Sequence, residues 1–155
     1  MVTALYAGSF DPITKGHLDI IRQSSDIFER VIIGVAYNPE KKGFISVPDR
    51  VQLIKESVKG ISNCEVFSYD GLTVNFAKEH NVKVLIRGIR NSADFEYEEQ
   101  LARINYDLVN DIKTVFMTSK PEYNYISSSA IRELISHNCD ISKYVPECVQ
   151  KHFSR

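Results

Sequence analysis

Apolar residues along this chain fall into two kinds of segment that take turns. Short, nearly continuous apolar runs at 2–7, 30–36, 65–68, 82–86 and 113–118 read as strands, and the run at 30–36 is of the kind that lies buried on both faces of a parallel sheet. Between them, apolar residues recur at helical spacing. The helix predicted over 18–28 carries Leu18, Ile21, Ser25 and Phe28 along one face. Further helices are predicted from Ser46 to about 59, over 72–80, from about 92 to 109, over 130–137 and over 146–153. Strand and helix alternate throughout, which predicts an α/β fold: a mostly parallel five-stranded sheet with helices on both faces and right-handed crossovers. No repeat, linker or low-complexity tract interrupts the pattern, so 1–155 is expected to form a single domain.

The pattern directs attention to the turn after the first strand, where Gly8-Ser9-Phe10-Asp11-Pro12-Ile13-Thr14-Lys15-Gly16-His17 separates an apolar run from an amphipathic one. A strand-loop-helix junction of this kind is where open α/β sheets bind nucleotides. Thr14 suits a helix N-cap, placing Gly16 and His17 in the first turn. First-turn N–H groups lack partners within the helix and suit a phosphate. Gly16 leaves the backbone open to a ligand, and His17 adds one directed N–H donor. Neither GxxxxGK[ST] nor GxGxxG is present, which excludes the P-loop and the dinucleotide fingerprint.

Composition narrows the class without changing the picture. Hydrophobic residues at 43% and charged residues at 25% are ordinary for a soluble globular protein. A net charge of -1 argues against a broad nucleic-acid-binding surface. No apolar stretch reaches membrane-spanning length and no signal-peptide pattern opens the chain. Cys64, Cys139 and Cys148 show no metal-type spacing, and an odd number of thiols without a leader fits a cytoplasmic protein.

Charged and polar groups gather at the predicted carboxyl ends of the strands, where ligands sit in such sheets. The first strand leads to Ser9 and His17, the second to Lys41, the fourth to Arg87 and Arg90, and the fifth to Ser127-Ser128-Ser129. Two arginines flanking Gly88 suit bidentate phosphate binding. They equally suit pairing with Asp94 and Glu98 on the next helix, and the two readings are compatible if the acids orient the arginines. One serine of the triplet caps a helix; the other two, with the free helix N–H groups, form a second anion site. No GxSxG elbow points to a serine hydrolase.

Taken together, the run from Gly8 to His17, Ile86-Arg87-Gly88-Ile89-Arg90 with Asp94-Phe95-Glu96-Tyr97-Glu98, and Ile126-Ser127-Ser128-Ser129 closely resemble the bacterial phosphopantetheine adenylyltransferases. These are TxGH/HxGH nucleotidyltransferases with a Rossmann-like, doubly wound core. The resemblance spans nearly the whole chain; TxGH marks only the superfamily, whereas the arginine block followed by Asp-Phe-Glu-Tyr-Glu is far more specific. It implies transfer of AMP from Mg-ATP to 4'-phosphopantetheine, giving dephospho-coenzyme A and pyrophosphate. It further implies that His17 stabilises the transition state, with Ser9 and Lys41 (Lys42 being the alternative) holding the acceptor phosphate. Thr73 and Arg87 would contact the same substrate. Ser9, Phe10, His17, Gly88, Ile89, Arg90, Glu98, Tyr123, Asn124, Tyr125, Ile126, Ser127, Ser128 and Ser129 match the ATP site. Ser9 stands where many members have threonine, and 120–125 departs from the usual Ser-Phe-Ile-Ser-Ser-Ser ending. The family also implies a homohexamer, a dimer of trimers, with coenzyme A as a feedback ligand.

Two rivals stand beside this reading. One is another nucleotidyltransferase, specific for nicotinamide mononucleotide or for CTP with glycerol phosphate. The other is a nucleotide-binding module without turnover, which would bind ATP but release no pyrophosphate.

Overall fold

The computed structural model describes residues 1–154. Its five strands, β1 (Thr3–Gly8), β2 (Arg30–Ala36), β3 (Cys64–Tyr69), β4 (Val84–Gly88) and β5 (Lys113–Met117), form one sheet in the order β3-β2-β1-β4-β5. Every pairing is parallel, with Leu5 opposite Ile32 on one side and Leu85 on the other. The helices are α1 (Lys15–Ile27), α2 (Val47–Ser57), α3 (Thr73–Glu79), α4 (Ser92–Leu108), α5 (Ser128–Ser136) and α6 (Glu147–Phe153). A single 3₁₀ turn, Pro121–Tyr123, lies in the expected loop after β5.

Side chains on a strand alternate between faces, so the sheet carries two cores. Ala4 and Tyr6 of β1 pack with Ile20 and Ile21 of α1, Ile54 of α2, Ile131 of α5 and Val149 of α6. Leu5 and Ala7 pack on the opposite face with Val74, Phe76 and Ala77 of α3. Full burial of Leu5, Ile32, Ile33 and Leu85 contributes roughly 1.5–3 kcal/mol each. The central strands are therefore rigid, and β1 and β4, where the order reverses, hold the switch-point crevice between their carboxyl ends.

Local signals account for the ends of the helices. Thr14 accepts the backbone N–H of His17, and the His17 side chain accepts the backbone N–H of Thr14, a reciprocal cap. This cap starts α1 at Lys15, as the Thr14 signal predicts, three residues before the amphipathic run that begins at Leu18. Ser46 caps α2, Asn91 caps α4 and Ser127 caps α5. β4 begins at Val84 and runs through Gly88, later than the expected 82–86. The Val82 N–H is still bonded to Ala77 at the end of α3, so pairing starts after it, and Arg87 and Gly88 belong to the strand. α5 begins at Ser128 rather than 130, since the first of the three serines is the cap.

Candidate active site

The loop joining β1 to α1 is held by its own backbone carbonyls. Arg50 of α2 donates to the Ser9 carbonyl at 3.1 Å, Arg132 of α5 to that of Asp11 at 2.9 Å, and the Ser128 hydroxyl to that of Pro12 at 2.8 Å. Three side chains from two helices, α2 and α5, thus converge on one short turn, which fixes where Ser9 and His17 lie. At its foot, Phe10 takes φ +47°, a left-handed backbone uncommon for a non-glycine residue.

A cavity of about 320 Å³ opens beside this turn. Ser9, Gly16 and His17 line it from the β1–α1 side, and Gly88, Ile89, Arg90 and Glu98 from β4 and α4. Tyr123, Ile126 and the three serines line it from the segment that leads into α5. These residues, all but Gly16 expected to share an ATP site, are far apart in sequence; the fold brings them together. A Cβ on Gly88 would lie 2.8 Å from the Ile20 Cδ1 of α1, the end of a side chain that would have to turn aside.

The His17 ring is fixed in orientation and tautomer. Its Nδ1 accepts the Thr14 backbone N–H at 3.0 Å, and it packs against Phe10 in an edge-type contact with 5.0 Å between centroids. Burial first, and the positive charge of Arg90 second, lower its pKa to about 4. At neutral pH the ring is uncharged. With Nδ1 accepting, its proton is on Nε2, a directed donor beside the N-terminus of α1.

Arg87 and Glu98 form a bidentate pair, Nε to Oε2 at 2.7 Å and Nη2 to Oε1 at 2.8 Å, while Arg87 Nη1 donates to the Ala7 carbonyl at 2.9 Å. Burial alone would lower the guanidinium pKa; the Glu98 bond and charge outweigh it, and the pKa is raised. Arg90 pairs with Asp94 at 3.1 Å. Both acids orient the arginines, as one of the two sequence readings has it. Glu98 also lines a second cavity, of about 260 Å³, with Arg87, Thr73, Leu72, Leu101 and Ala102. Glu98 therefore lines both cavities, and Arg87, which it holds, lines the second.

Four expected residues lie elsewhere. Phe10 is a core residue, 2% exposed, because its left-handed backbone accompanies a ring packed against Tyr6 and His17. Asn124 and Tyr125 line a separate cavity with Arg90, beyond the 3₁₀ turn. Lys41, like Lys42, is exposed on the loop after β2 and is not among the residues lining the two cavities. Conversely, the first cavity is also lined by Tyr6, Ser119 and Arg132, which sequence reasoning missed. Arg132 falls one helical turn after Ser128, a spacing that could have marked it. Ser119 has no such signal: its loop is fastened to α1 through the buried Asp19, whose carboxylate accepts the Lys120 N–H at 2.9 Å.

Among the described residues, no group of three or more His, Cys, Asp or Glu side chains could hold a metal ion, and no helix is long and apolar enough to cross a membrane. The carboxylates lining the first cavity, Asp94 and Glu98, are both engaged by arginines.

Comparison with known proteins bears on the family and the fold. A family model described as cytidylyltransferase-like matches residues 5–134. The phosphopantetheine adenylyltransferase of Lachnoclostridium phytofermentans is 48% identical over 96% of this chain and 91% of its own length. That of Clostridium tetani is 48% identical over 95% and 92%, and that of Alkaliphilus metalliredigens 42% identical over 100% and 99%. A solved structure from Vibrio parahaemolyticus, provisionally named a nicotinate-nucleotide adenylyltransferase, superposes with a TM-score of 0.72 over 97% of this chain and 91% of that one; at 19% identity it bears on the fold alone. Identity of this extent over essentially the whole length places the chain in the phosphopantetheine adenylyltransferase family of cytidylyltransferase-like proteins.

Proposed function

We propose that this enzyme transfers AMP from Mg-ATP to 4'-phosphopantetheine, forming dephospho-coenzyme A. A phosphate oxygen of phosphopantetheine bonds to the α-phosphorus of ATP as the bond to the β-phosphate oxygen breaks, releasing pyrophosphate. The nucleophile is already an anion, so no general base is required; positioning and charge stabilisation carry the rate. The observation that carries the reading is the neutral His17, held with Nε2–H as donor beside the first turn of α1. Such a donor favours charge growing on the α-phosphate oxygens. Ser9 and Lys41 hold the acceptor phosphate. Gly88, Ile89 and Arg90 contact ATP, and the serines with the N-terminus of α5 receive the pyrophosphate portion. The pantetheine arm lies past the Arg87–Glu98 pair, beside Thr73 and Leu101, where the lining is more apolar.

Mg2+ enters with ATP as part of the substrate, in keeping with the engaged carboxylates. Coenzyme A carries the same arm and is expected to compete as a feedback ligand. We read the chain as one cytoplasmic nucleotidyltransferase domain that assembles as a homohexamer. Tyr97, Ile104 and Leu108, exposed on one side of α4, support the assembly.

The test is pyrophosphate release from Mg-ATP with and without 4'-phosphopantetheine. Release that depends on phosphopantetheine is expected. Release with nicotinamide mononucleotide or glycerol phosphate instead, or ATP binding with no release, would overturn the reading.

A further inference from the structure

Two buried charged side chains, Asp11 and Arg50, take no part in the reaction as described. They are 8% and 5% exposed. Asp11 lies in the β1–α1 turn, yet its carboxylate reaches across to the end of the loop joining β2 to α2. Oδ2 accepts the Phe44 N–H and Oδ1 the Ile45 N–H, both at 2.8 Å. Arg50, one turn into α2, donates from Nε to the Ile45 carbonyl at 3.0 Å and from Nη1 to the Ser9 carbonyl at 3.1 Å. The guanidinium and the carboxylate stand 4.0 Å apart. Together they join the Ser9 turn to residues 44 and 45 through four directed bonds.

The loop backbone passes directly over this pair at Gly43. A Cβ there would lie 2.6 Å from Arg50 Nη2 and 3.1 Å from Asp11 Oδ2, so any side chain would push the loop away or displace the pair. The other end of the loop is tied as well, the Tyr37 N–H donating to the Tyr69 carbonyl of β3 at 3.1 Å. Between the ties, Asn38 organises a turn: its carbonyl accepts the Lys41 N–H at 3.0 Å and its side chain accepts the Glu40 N–H at 2.9 Å. Lys41 is thus an exposed cation on a short loop, with its base fixed to the same turn that presents Ser9.

We propose that Asp11, Arg50 and Gly43 form a positioning clamp that sets the Lys41 loop relative to Ser9, so that both meet the phosphate of 4'-phosphopantetheine. An apolar cluster of the same volume would bury the site as well but would tolerate sliding. A carboxylate with two N–H partners and a guanidinium with two carbonyl partners is satisfied in one register only, because leaving any of them unpaired in a buried place is costly. The three residues touch no substrate and act through Lys41 and Ser9. The clamp rests on the assignment of Lys41 and Ser9 to the acceptor phosphate made above.

The experiment is steady-state pyrophosphate release by the full chain, varying each substrate in turn, for Gly43→Ala, Asp11→Asn, Lys41→Ala and the Gly43→Ala/Lys41→Ala double variant. Gly43→Ala and Asp11→Asn are expected to raise KM for phosphopantetheine about tenfold, or more, and to leave KM for ATP within about twofold, the effect of misplacing one charge-bearing loop. The double variant is expected to be no worse than Lys41→Ala alone, since the Gly43 substitution displaces the Lys41 loop while Arg132 and Ser128 still hold the turn that carries Ser9. Equal rises in both KM values, an unchanged KM in Gly43→Ala, or additive losses in the double variant would overturn the clamp. If Asp11→Asn melts below the assay temperature, Gly43→Ala, which removes no buried charge, decides. The wild-type requirement for phosphopantetheine tests the function itself, so failure of the clamp and failure of that reading give different results.

Discussion

The Thr14 N–H donates to Nδ1 of His17, and this fixes what the imidazole can do: Nε2 keeps a proton at neutral pH and points as a donor. His17→Ala is expected to lower turnover roughly 100-fold or more, as for loss of one transition-state donor, while the dissociation constant for ATP changes less than about threefold. Equal losses in turnover and binding would assign His17 to ground-state binding instead. The lowered pKa gives a second readout. Turnover should show no inflection from His17 between pH 8 and 5, only below, near its pKa of about 4. In the unfolded chain the ring takes up a proton near its ordinary value of 6.5, and in the folded chain near 4. Stability from this group is therefore complete above pH 6.5, declines as pH falls towards 4, and changes no further below that. Thermal melting across this window, flatter in His17→Ala than in the wild type, checks the sign. The sequence placed this histidine beside a phosphate-binding turn, and the Thr14 N–H that sets its tautomer is three residues away, but the lowered pKa depends on burial and on Arg90, which act on the ring only through the fold.

At the scale of elements, two helix N-termini face one cavity, those of α1 and α5. Thr14 supports the first through its side chain as well as its backbone. Thr14→Ala is expected to cost about 1 kcal/mol of stability in urea denaturation, the usual cost of a lost N-cap. It should also lower turnover without moving KM for phosphopantetheine, because the ring it steadies is remote from the arm. Unchanged turnover would show that the backbone bond alone holds His17. Both termini were legible because capping residues precede amphipathic runs. The end of β4 was less so. A strand's reach depends on which neighbour it pairs with, and Arg87 and Gly88 pair with Phe116 and Met117 of β5, a partner that local sequence does not name. The consequence is functional: Arg87, held at a strand end and by Glu98, has a rigid mount rather than a loop.

Over the whole molecule, α4 stands apart from the other helices. Glu98 is its buried residue, while Tyr97, Ile104, Tyr106 and Leu108 are exposed, with Val115 exposed on the neighbouring edge strand β5. Tyr97, Ile104 and Leu108 share one side of α4, and an apolar row of this kind suits association between copies. Ile104→Asp is expected to shift the protein to smaller species in sedimentation velocity, with KM for both substrates raised if α4 then moves Glu98. A hexamer unchanged by the substitution would remove α4 from the interface. The sequence by itself determined the alternation of strand and helix, the parallel sheet, the capped helix starts and the family motifs, because each is written in neighbouring residues through periodicity, capping chemistry and spacing. Only the tertiary structure decided which motif residues share a cavity and which, like Phe10, Asn124 and Tyr125, lie outside it. It also decided that Arg132 and Ser119 enter the cavity, that Glu98 holds Arg87, and that Asp11 and Arg50 fasten two loops together. Those outcomes come from contacts between residues distant along the chain, and their geometry is set by how the layers pack around the sheet.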